Sequence, residues 1–395
     1  MLPDLMKLAI VTTHPIQYNA PWFKLLAERN KIAIKVFYTW GQLENEAKFD
    51  PGFGKKVAWD IPLLDGYDYT FVKNISIEPG SHHFKGIDNP SLINEIEQWN
   101  PAAILLLGWS FKSHLKLLRH FKGKRTIFFR GDSNLLDEPI KITAKKLLRK
   151  IFLKWVYSHV DIALYVGSAN EAYYKKFGLK STQLQFAPHA IDNDRFKQAG
   201  LVNGREKLGI PEAGIIFLFA GKFESKKDPG LLLDAFISLN NYQAYLIMVG
   251  NGELENELKA KVAGQIASVS ERICFMPFQN QMNMPEVYKM ADVVVLPSKG
   301  PGETWGLAIN EAMACAKAVL VSDKCGCAFD LVENGANGFI FYHDNMQDLV
   351  SKMSILLKDS HKLKKMGQKS LQIIDEWTYE KICIAIEDAA AEVKF

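Results

Sequence analysis

The sequence lacks the cysteine pattern of a disulfide-stabilised secreted domain. Its five cysteines are an odd number and are scattered along the second half of the chain, which favours a reducing compartment. Cys325 and Cys327 form a C-x-C pair with no second pair to match it, and a closed zinc site needs four ligands. The cysteines therefore predict neither a disulfide framework nor a metal centre.

Long apolar runs are also missing. No run approaches the roughly 20 apolar residues that span a bilayer, and the apolar stretch Lys7–Val11 is too short for the core of a secretory leader. We therefore expect a cytoplasmic protein and leave open its peripheral attachment to the inner face of a membrane. The net charge of +4 is too small to indicate a nucleic-acid partner.

What the chain does have is length and a balanced composition. With 395 residues, 48% of them apolar and 23% charged, it is too long for one ordinary core and predicts two soluble domains. Strand and helix patterns alternate in both halves, which is typical of parallel sheets with helices on both faces. The predicted strands are residues 8–12, 32–38, 103–107, 126–129 and 162–166 in the first half, and 215–220, 245–249, 273–276 and 291–296 in the second.

A polar, glycine-containing segment separates the two halves. Residues 193–214 are therefore predicted to be a linker between an N-terminal domain, 1–192, and a C-terminal domain, 215–377. A helix is predicted over 378–395. Residues 41–71 form a polar and aromatic insertion, which we interpret as a loop with a strand or hairpin near its end.

The segment Leu296–Ala316 is the most informative part of the sequence. A strand pattern leads into a loop rich in Pro, Ser and Gly at 297–302, and a helical pattern follows from Trp305. A helix that begins directly after such a loop points its free backbone N–H groups and the positive end of its dipole at the crevice in front of it. We therefore expect an anion, most often a phosphate, at this turn.

Two glutamates flank the start of this helix, Glu303 in the loop and Glu311 eight positions later. An acid near the first turn is often only a partner of the helix dipole, and Glu303 alone has that alternative interpretation. Glu311 interrupts a small, apolar segment, where a carboxylate is costly unless it has partners. Because a carboxylate accepts two hydrogen bonds from a vicinal diol, one acid on a ribose and one on a second sugar would make a nucleotide-sugar site.

These residues resemble the E-x7-E signature of family-4 (group 1) retaining glycosyltransferases, which have the GT-B fold. The lead-in strand 288–298 and the closing strand 318–322 also resemble that family, as do the turn residues Gly326, Asp330, Gly335 and Gly338. The resemblance implies two Rossmann-like, doubly wound α/β domains that face a cleft. The N-terminal domain would bind the acceptor and the C-terminal domain the nucleotide-sugar donor, and helix 378–395 would pack back on the N-terminal domain.

The resemblance also assigns donor contacts in the C-terminal domain. It implies that Glu311 binds the ribose, that Glu303 binds the hydroxyls of the donor sugar, and that backbone N–H groups near the helix start hold phosphate. The remaining donor-binding residues are Gly221, Gly250, Thr304, Trp305, Gly306 and Leu307. A plain tight turn is at least an equal alternative for the G-x-G at residues 250–252.

Two lysines are assigned to the diphosphate, where they would stabilise the departing nucleoside diphosphate. Lys222 stands where the family has an arginine, and it keeps the charge without the bidentate fork. Lys227 matches the second cation, with Lys226 as a competitor. A solvated run of charge is the alternative interpretation.

The N-terminal domain departs from the family pattern. The family has a glycine pair after the first strand and, in many members, a histidine after the strand at 126–129, whereas this chain has HPIQY at 14–18 and Arg130-Gly-Asp132. Arg130 and Asp132 are therefore the candidates for contacting the transferred sugar, with an ordinary surface pair as the alternative. The D-x-D at 192–194 is interpreted as structural, because GT-B enzymes normally use protein cations. No metal or other cofactor is expected.

Lys141–Tyr157 is a basic amphipathic stretch in which Lys and Arg alternate with Leu, Ile, Phe and Trp. Such a pattern is typical of helices that bind anionic membrane surfaces. It is equally typical of a helix that faces the core and exposes a basic side. Both interpretations remain open at this point.

The resemblance implies a hexosyl- or related glycosyltransferase. It would transfer a sugar, with a UDP-sugar as the favoured donor, to a hydroxyl of a glycan or glycolipid acceptor with retention of configuration. Family habit favours a role in bacterial surface polysaccharide or glycolipid assembly. Two alternatives are a GT-B sugar-nucleotide epimerase or phosphorylase, and a catalytically silent subunit that binds sugar nucleotides.

Overall fold

The chain folds into two units, each with its own sheet. The computed structural model describes residues 5–41, 48–50, 53–138, 143–198 and 204–393. The first unit consists of Met1–Glu46, Pro62–His189 and Tyr379–Phe395, and the second of Ala47–Ile61 and Ala190–Thr378.

The strands in the described residues are β1 (Lys7–Thr12), β2 (Ala33–Tyr38), β3 (Lys48–Asp50), β4 (Lys55–Val57), β5 (Asp68–Phe71), β6 (Ala103–Leu107), β7 (Thr126–Arg130), β8 (Ile162–Tyr165), β9 (Leu184–Phe186), β10 (Ile215–Ala220), β11 (Ala244–Val249), β12 (Ile273–Met276), β13 (Val293–Leu296), β14 (Ala318–Ser322) and β15 (Gly338–Phe341).

The helices are α1 (Ala20–Glu28), α2 (Leu92–Trp99), α3 (Lys112–Phe121), α4 (Ala144–Tyr157), α5 (Ser168–Lys176), α6 (Asn193–Gln198), α7 (Gly204–Lys207), α8 (Pro229–Leu239), α9 (Glu255–Ala263), α10 (Ala267–Ser270), α11 (Met284–Met290), α12 (Leu307–Ala314), α13 (Ala328–Leu331), α14 (Met346–Leu356), α15 (Ser360–Ile374) and α16 (Tyr379–Ala391). Within the described ranges, none of them is both long and apolar enough to cross a bilayer.

Each unit is built on a parallel sheet. The strand order is β5-β2-β1-β6-β7-β8-β9 in the first unit and β12-β11-β10-β13-β14-β15 in the second, while β3 and β4 form a separate antiparallel hairpin. In the first sheet, successive strands along the chain are added on one side of β1 and then on the other, so the topological switch point lies between β1 and β6. In the second sheet it lies between β10 and β13. Ligands of doubly wound sheets bind at the carboxyl ends of the strands near such a point.

The central strands are continuous apolar runs because helices cover both of their faces. Residues 8–11 of β1 and 216–219 of β10 are completely buried. In the second unit, Phe217 and Phe219 share one cluster with Leu232 of α8. The prediction of two Rossmann-like α/β units is thus confirmed.

The predicted linker contains helical structure in its described part. Phe196 of α6 is buried, with its ring 6.0 Å from that of Tyr288, and the Asn193 side-chain amide donates to the Ile374 carbonyl at 3.0 Å. One buried aromatic residue therefore fixes a segment that its polar composition marks as a loop.

The insertion at 41–71 is divided between the units. β5 pairs with β2 in the first sheet, whereas residues 48–50 and 53–61 pack in the second unit, although the sequence places them in the N-terminal domain. The reason is local contact, because the Phe53 ring lies 4.6 Å from that of Phe278.

Arg29, directly after α1, binds α16. Its guanidinium donates from Nε to Glu387 Oε1 at 2.5 Å and from Nη2 to Oε2 at 2.8 Å, and Lys31 donates to the same carboxylate at 3.0 Å. The Glu387 side chain is only 8% exposed. The hydrogen bonds from Arg29 hold the pKa of Glu387 below its ordinary value, although burial opposes them.

We predict that Glu387→Gln lowers the free energy of unfolding near neutral pH by about 1.5–3 kcal/mol, the usual size of a hydrogen bond to a charged group. Since the pKa of Glu387 is lower in the folded state, its contribution is fully present above the unfolded-state pKa and is lost as pH falls through the folded-state pKa. Urea unfolding of both proteins over a range of pH should show the difference shrinking as the solution becomes acidic.

Glu380→Gln is the matched control, because Glu380 meets the same Arg29 guanidinium but its side chain is 57% exposed. Its loss near neutral pH should be smaller, within the range for surface pairs of about 0–1 kcal/mol. If the two variants lost the same free energy of unfolding, the prediction that burial makes the Glu387 carboxylate the more important partner of Arg29 would be wrong.

Candidate functional site

Three loops of the second unit meet at the carboxyl edge of its sheet. They follow β10, β11 and β13 and begin at Gly221, Gly250 and Pro297. Because β10 pairs in parallel with both β11 and β13, the residues after these strands lie close together. The predicted donor-binding residues are on these loops and on α12, which follows the third.

Gly221 and Gly250 are in close backbone contact. Gly221 N donates to the Val249 carbonyl at 3.0 Å, and a Cβ built on Gly250 would lie 1.9 Å from the Gly221 carbonyl oxygen. Gly250 also has a φ of +145°, which side chains with a Cβ rarely adopt. The tight-turn interpretation therefore accounts for Gly250, and donor contact by these two glycines stays a prediction.

The structure pairs Glu303 with Lys227. The Glu303 residue is 7% exposed; its Oε2 accepts a hydrogen bond from the Lys227 ammonium and another from Ser298 Oγ at 2.8 Å. A buried carboxylate is costly without such partners. Sequence reasoning missed Ser298, whose only signal is its place two positions after the end of the strand.

Lys226 and Lys227 have different surroundings. Lys226 lies 3.4 Å from Glu224 Oε1, and the Lys227 ammonium contacts Glu303. The Lys227 side chain is about four-fifths buried, so it is not part of a solvated run of charge. Of the two competing lysines, Lys227 is the one that reaches the predicted sugar-binding glutamate.

Lys222 contacts an aromatic ring. Its Nζ lies 5.0 Å from the centroid of Phe53, over the ring, which is the geometry of a cation–π interaction. Phe53 belongs to the turn between β3 and β4. No sequence pattern indicates that these residues meet, because 169 positions separate them (222 − 53).

The third loop ends at Gly306, which precedes α12. Gly306 has a φ of +108°, and a Cβ there would lie 2.6 Å from Leu296 Cδ2 and 3.3 Å from Cys327 Sγ. The chain can thus turn sharply from loop to helix only with glycine. The first N–H groups of a helix have no acceptor within it. The phosphate contact of Trp305, Gly306 and Leu307 stays a prediction.

Glu311 is held inside the unit by α12. It is 3% exposed and accepts a hydrogen bond from the Tyr288 hydroxyl at 2.8 Å. Nearby, Trp305 Nε1 donates to Asn310 Oδ1 at 2.9 Å, and its ring lies 5.1 Å from that of Trp377. The structure therefore supplies Glu311 with a polar partner, Tyr288, that the sequence analysis did not assign. Its ribose contact, like any role of Thr304, stays a prediction.

In the first unit, Arg130 is buried rather than part of a surface pair. It is 5% exposed and donates to the carbonyls of Ala187 and Pro188 at 2.5 and 2.9 Å, and burial lowers its pKa to about 10. The arrangement fixes the turn that follows β9. A direct contact of Arg130 with a sugar stays a prediction.

Asp132 has a histidine beside it. His189 Nε2 lies 3.8 Å from Asp132 Oδ2. Burial lowers the pKa of His189, whereas the nearby Asp132 carboxylate opposes that shift. Asp132 thus has a histidine neighbour from the segment after β9, which neither motif nor spacing revealed.

We searched the described ranges for side chains that could bind a metal. In the described part of the chain, no three His, Cys, Asp or Glu side chains are close enough to share an ion. Asp192 Oδ1 accepts a hydrogen bond from Arg195 N at 3.0 Å, which agrees with a structural role for the D-x-D. Cys325 and Cys327 are fully buried, and burial raises the pKa of both thiols well above the ordinary value.

Comparison with known proteins gives the second unit a family match. Residues 203–372 match the model of the family described as glycosyl transferases group 1. D-inositol 3-phosphate glycosyltransferase of Streptomyces bingchenggensis is 30% identical over 213 residues, which are 51% of this chain and 46% of that protein. The chain thus spans about half the length of the curated relatives that it matches.

Solved structures match over nearly the whole chain. Sucrose-phosphate synthase from Thermosynechococcus elongatus has a TM-score of 0.72 at 16% identity, covering 98% of both chains. Anabaena Alr3699/HepE in complex with UDP and glucose has a TM-score of 0.69 at 17% identity, covering 98% of this chain and 99% of the other. The fold is therefore the GT-B fold of these glycosyltransferase structures.

We predict that Gly250→Ala destabilises the protein more than Gly302→Ala. Both glycines have positive φ, but an added Cβ at Gly302 has nothing within 4 Å, whereas at Gly250 it meets the Gly221 backbone. Both variants should lose about 1–3 kcal/mol from backbone strain, and only Gly250→Ala must also displace the loop after β10. Thermal unfolding of the two variants checks this, and equal melting temperatures would contradict it.

Proposed function

We propose that this protein is a glycosyltransferase that moves a sugar from a nucleotide diphosphate-sugar to a hydroxyl of an acceptor. The observation that carries the proposal is the buried Lys227–Glu303 ion pair inside the segment 203–372 that matches group 1 glycosyl transferases. A carboxylate offers acceptors for sugar hydroxyls, and an adjacent ammonium offers charge to a phosphate. Lys227 lies in the loop after β10, and Glu303 lies in the loop between β13 and α12.

In the proposed reaction, the bond between the anomeric carbon and the diphosphate oxygen breaks, the acceptor oxygen bonds to that carbon, and the proton of the acceptor hydroxyl passes to the departing diphosphate. Negative charge accumulates on the departing nucleoside diphosphate. Lys227, Lys222 and the N–H groups at the start of α12 would stabilise it. Because these positive groups belong to the protein, the proposal requires no metal ion or other cofactor.

Glu303 and Glu311 would bind the two sugars of the donor. Glu303 is the candidate for the hydroxyls of the transferred sugar, and its bond to Lys227 would hold that lysine beside the phosphates. Glu311, oriented by Tyr288, is the candidate for the ribose. Assignment to family 4 and retention of configuration are supported by the eight-residue spacing of the two glutamates.

A UDP-sugar is the proposed donor, because the similar Anabaena structures are described with UDP, with UDP and glucose, and with UDP-glucose. The proposed acceptor is a glycan or lipid-linked glycan, and the proposed role is the assembly of a bacterial surface polysaccharide or glycolipid. The acceptor side of the proposal is supported by the surface of α4.

Helix α4 exposes a wide apolar face. Five of its large apolar side chains are between 40% and 68% exposed; they are Leu147, Leu148, Ile151, Phe152 and Trp155. Only Leu153, Val156 and Tyr157 are buried. A helix that merely faced the core would not expose them, so the structure favours the first of the two interpretations of this stretch. Residues 141 and 142 lie outside the described part.

Basic side chains flank that face, namely Lys145, Lys146, Arg149, Lys150 and Lys154. The combination of exposed apolar side chains, an aromatic residue and surrounding cations fits an anionic lipid surface. We propose that α4 attaches the protein peripherally to the inner face of a membrane, where a lipid-linked acceptor would be available.

The donor site predicts a nucleotide-dependent rise in thermal stability. A nucleoside diphosphate at about a hundred times its dissociation constant should add about 2.7 kcal/mol. In a panel of UDP, GDP, ADP and their sugar conjugates, one base should stabilise the wild type, EDTA should leave the shift unchanged, and Glu311→Ala should abolish most of it. Glu286→Gln, an exposed change on the neighbouring α11, should behave as the wild type.

If none of these nucleotides stabilises the protein, the donor-site proposal is wrong. If a nucleotide does bind, assays of donor turnover distinguish a transferase from the alternative functions. A transferase releases nucleoside diphosphate faster when a hydroxyl acceptor is added, and Glu303→Gln should slow this by at least about tenfold, since it removes a charge that binds in the transition state. An epimerase would convert the sugar without an acceptor, a phosphorylase would need phosphate, and a silent subunit would bind without turnover.

The membrane proposal predicts sedimentation with vesicles that contain phosphatidylglycerol and little with pure phosphatidylcholine. Leu148→Glu with Ile151→Glu should abolish the association, and added salt should weaken it, because the attraction to anionic lipid is screened. Ile266→Glu is the control, since Ile266 is equally exposed on the second unit. Association that survives the double change on α4 would contradict the proposal.

A further inference from the structure

The β3–β4 hairpin is fastened to the loop that follows β12. Asn280 Nδ2 donates to the Ala58 carbonyl at 2.6 Å, and Met282 N donates to the Asp60 carboxylate, 3.2 Å from each oxygen. These bonds fix the arm of the hairpin after β4. The turn at Phe53 is thereby held against the carboxyl edge of the second sheet.

Three aromatic rings meet at this edge. The Phe53 and Phe278 rings lie 4.6 Å apart in an edge-to-face arrangement, and Trp59 lies 6.4 Å from Phe278. All three side chains are partly exposed. Each of the three rings therefore keeps part of its apolar surface in contact with solvent.

The rings adjoin the loops already assigned to the donor. Phe278 N donates to Asn251 Oδ1 at 3.0 Å, and Asn251 stands between the two glycines that follow β11. Phe53 lies under the Lys222 ammonium. The aromatic side chain of Phe53 is therefore next to Lys222, the cation proposed to bind the diphosphate. A nucleotide likewise carries its base and its phosphates on one molecule, so a single ligand could contact both residues.

We propose that Phe53, supplied by the hairpin and positioned by its edge-to-face contact with Phe278, stacks on the nucleobase of the donor. The proposal rests on the proposed function, since it names the base contact of the same site. The π-face of a base stacks on an aromatic side chain, and Lys222 leaves the Phe53 ring for the diphosphate when a donor binds. The hairpin is then a part of the donor site that the chain supplies from outside its group 1 segment.

The test compares the binding of UDP, GDP and ADP with that of inorganic pyrophosphate, which has no base, by calorimetry. Phe53→Ala should raise the dissociation constant of the preferred nucleotide by about tenfold, the scale of one base–aromatic stack, and leave that of pyrophosphate within about twofold of wild type. Phe53→Tyr should retain binding. Lys222→Ala should weaken both ligands.

Tyr242→Ala is the matched control, because Tyr242 is an aromatic residue that is 81% exposed on the second unit. Phe278→Leu, which keeps an apolar side chain of similar volume, should repeat the effect of Phe53→Ala. If the wild type binds a nucleotide and Phe53→Ala changes its affinity by less than about threefold, the inference alone is overturned. If the wild type binds none of the three nucleotides, the proposed function is wrong as well as the inference.

Discussion

The ion pair between Lys227 and Glu303 is the constraint on which the candidate site depends. A carboxylate as buried as Glu303 must have compensating partners, and they come from two separate loops, Lys227 after β10 and Ser298 after β13. Those loops meet because the two strands are parallel neighbours. The sheet order therefore creates the site, and the pair in turn fixes the ends of both loops.

The same edge explains the small residues around it. Gly250 lies against the Gly221 backbone, and Gly306 lies against Leu296 and Cys327. The N–H groups of Gly221 and Gly250 donate to the carbonyls of Val249 and Met276, both at 3.0 Å, so these two glycines join the loops to the ends of the strands. In the proposed function, the positive charge at this edge comes from Lys222, Lys227 and the start of α12. Close packing alone therefore explains why glycine stands at these positions, whether or not the proposed ligand binds there.

Local pattern was sufficient for the fold and for part of the site. Strands such as Leu8–Thr12 and Ile215–Ala220 could be predicted because buried parallel strands are continuous apolar runs. The Pro, Ser and Gly cluster at 297–302, between an apolar run and a helical pattern, marked the strand–loop–helix unit that carries Glu303 and Glu311. Contacts with backbone atoms could not be predicted. Arg130 binds carbonyls 57 and 58 positions away, and a carbonyl leaves no trace in the sequence. The pairing of His189 with Asp132 depends on that same turn.

The hairpin gives a physical reason for the lysine that replaces the expected arginine. An arginine at this position would present a planar guanidinium, which stacks strongly on aromatic rings and is weakly hydrated, so it would tend to remain on Phe53. The ammonium of Lys222 is a compact, strongly hydrated charge on a flexible chain, for which an exposed aromatic face is a weak partner. A diphosphate with two negative charges competes well for it. Under the proposed function, lysine at this position is therefore better suited than arginine to leave the Phe53 ring and bind the donor diphosphate.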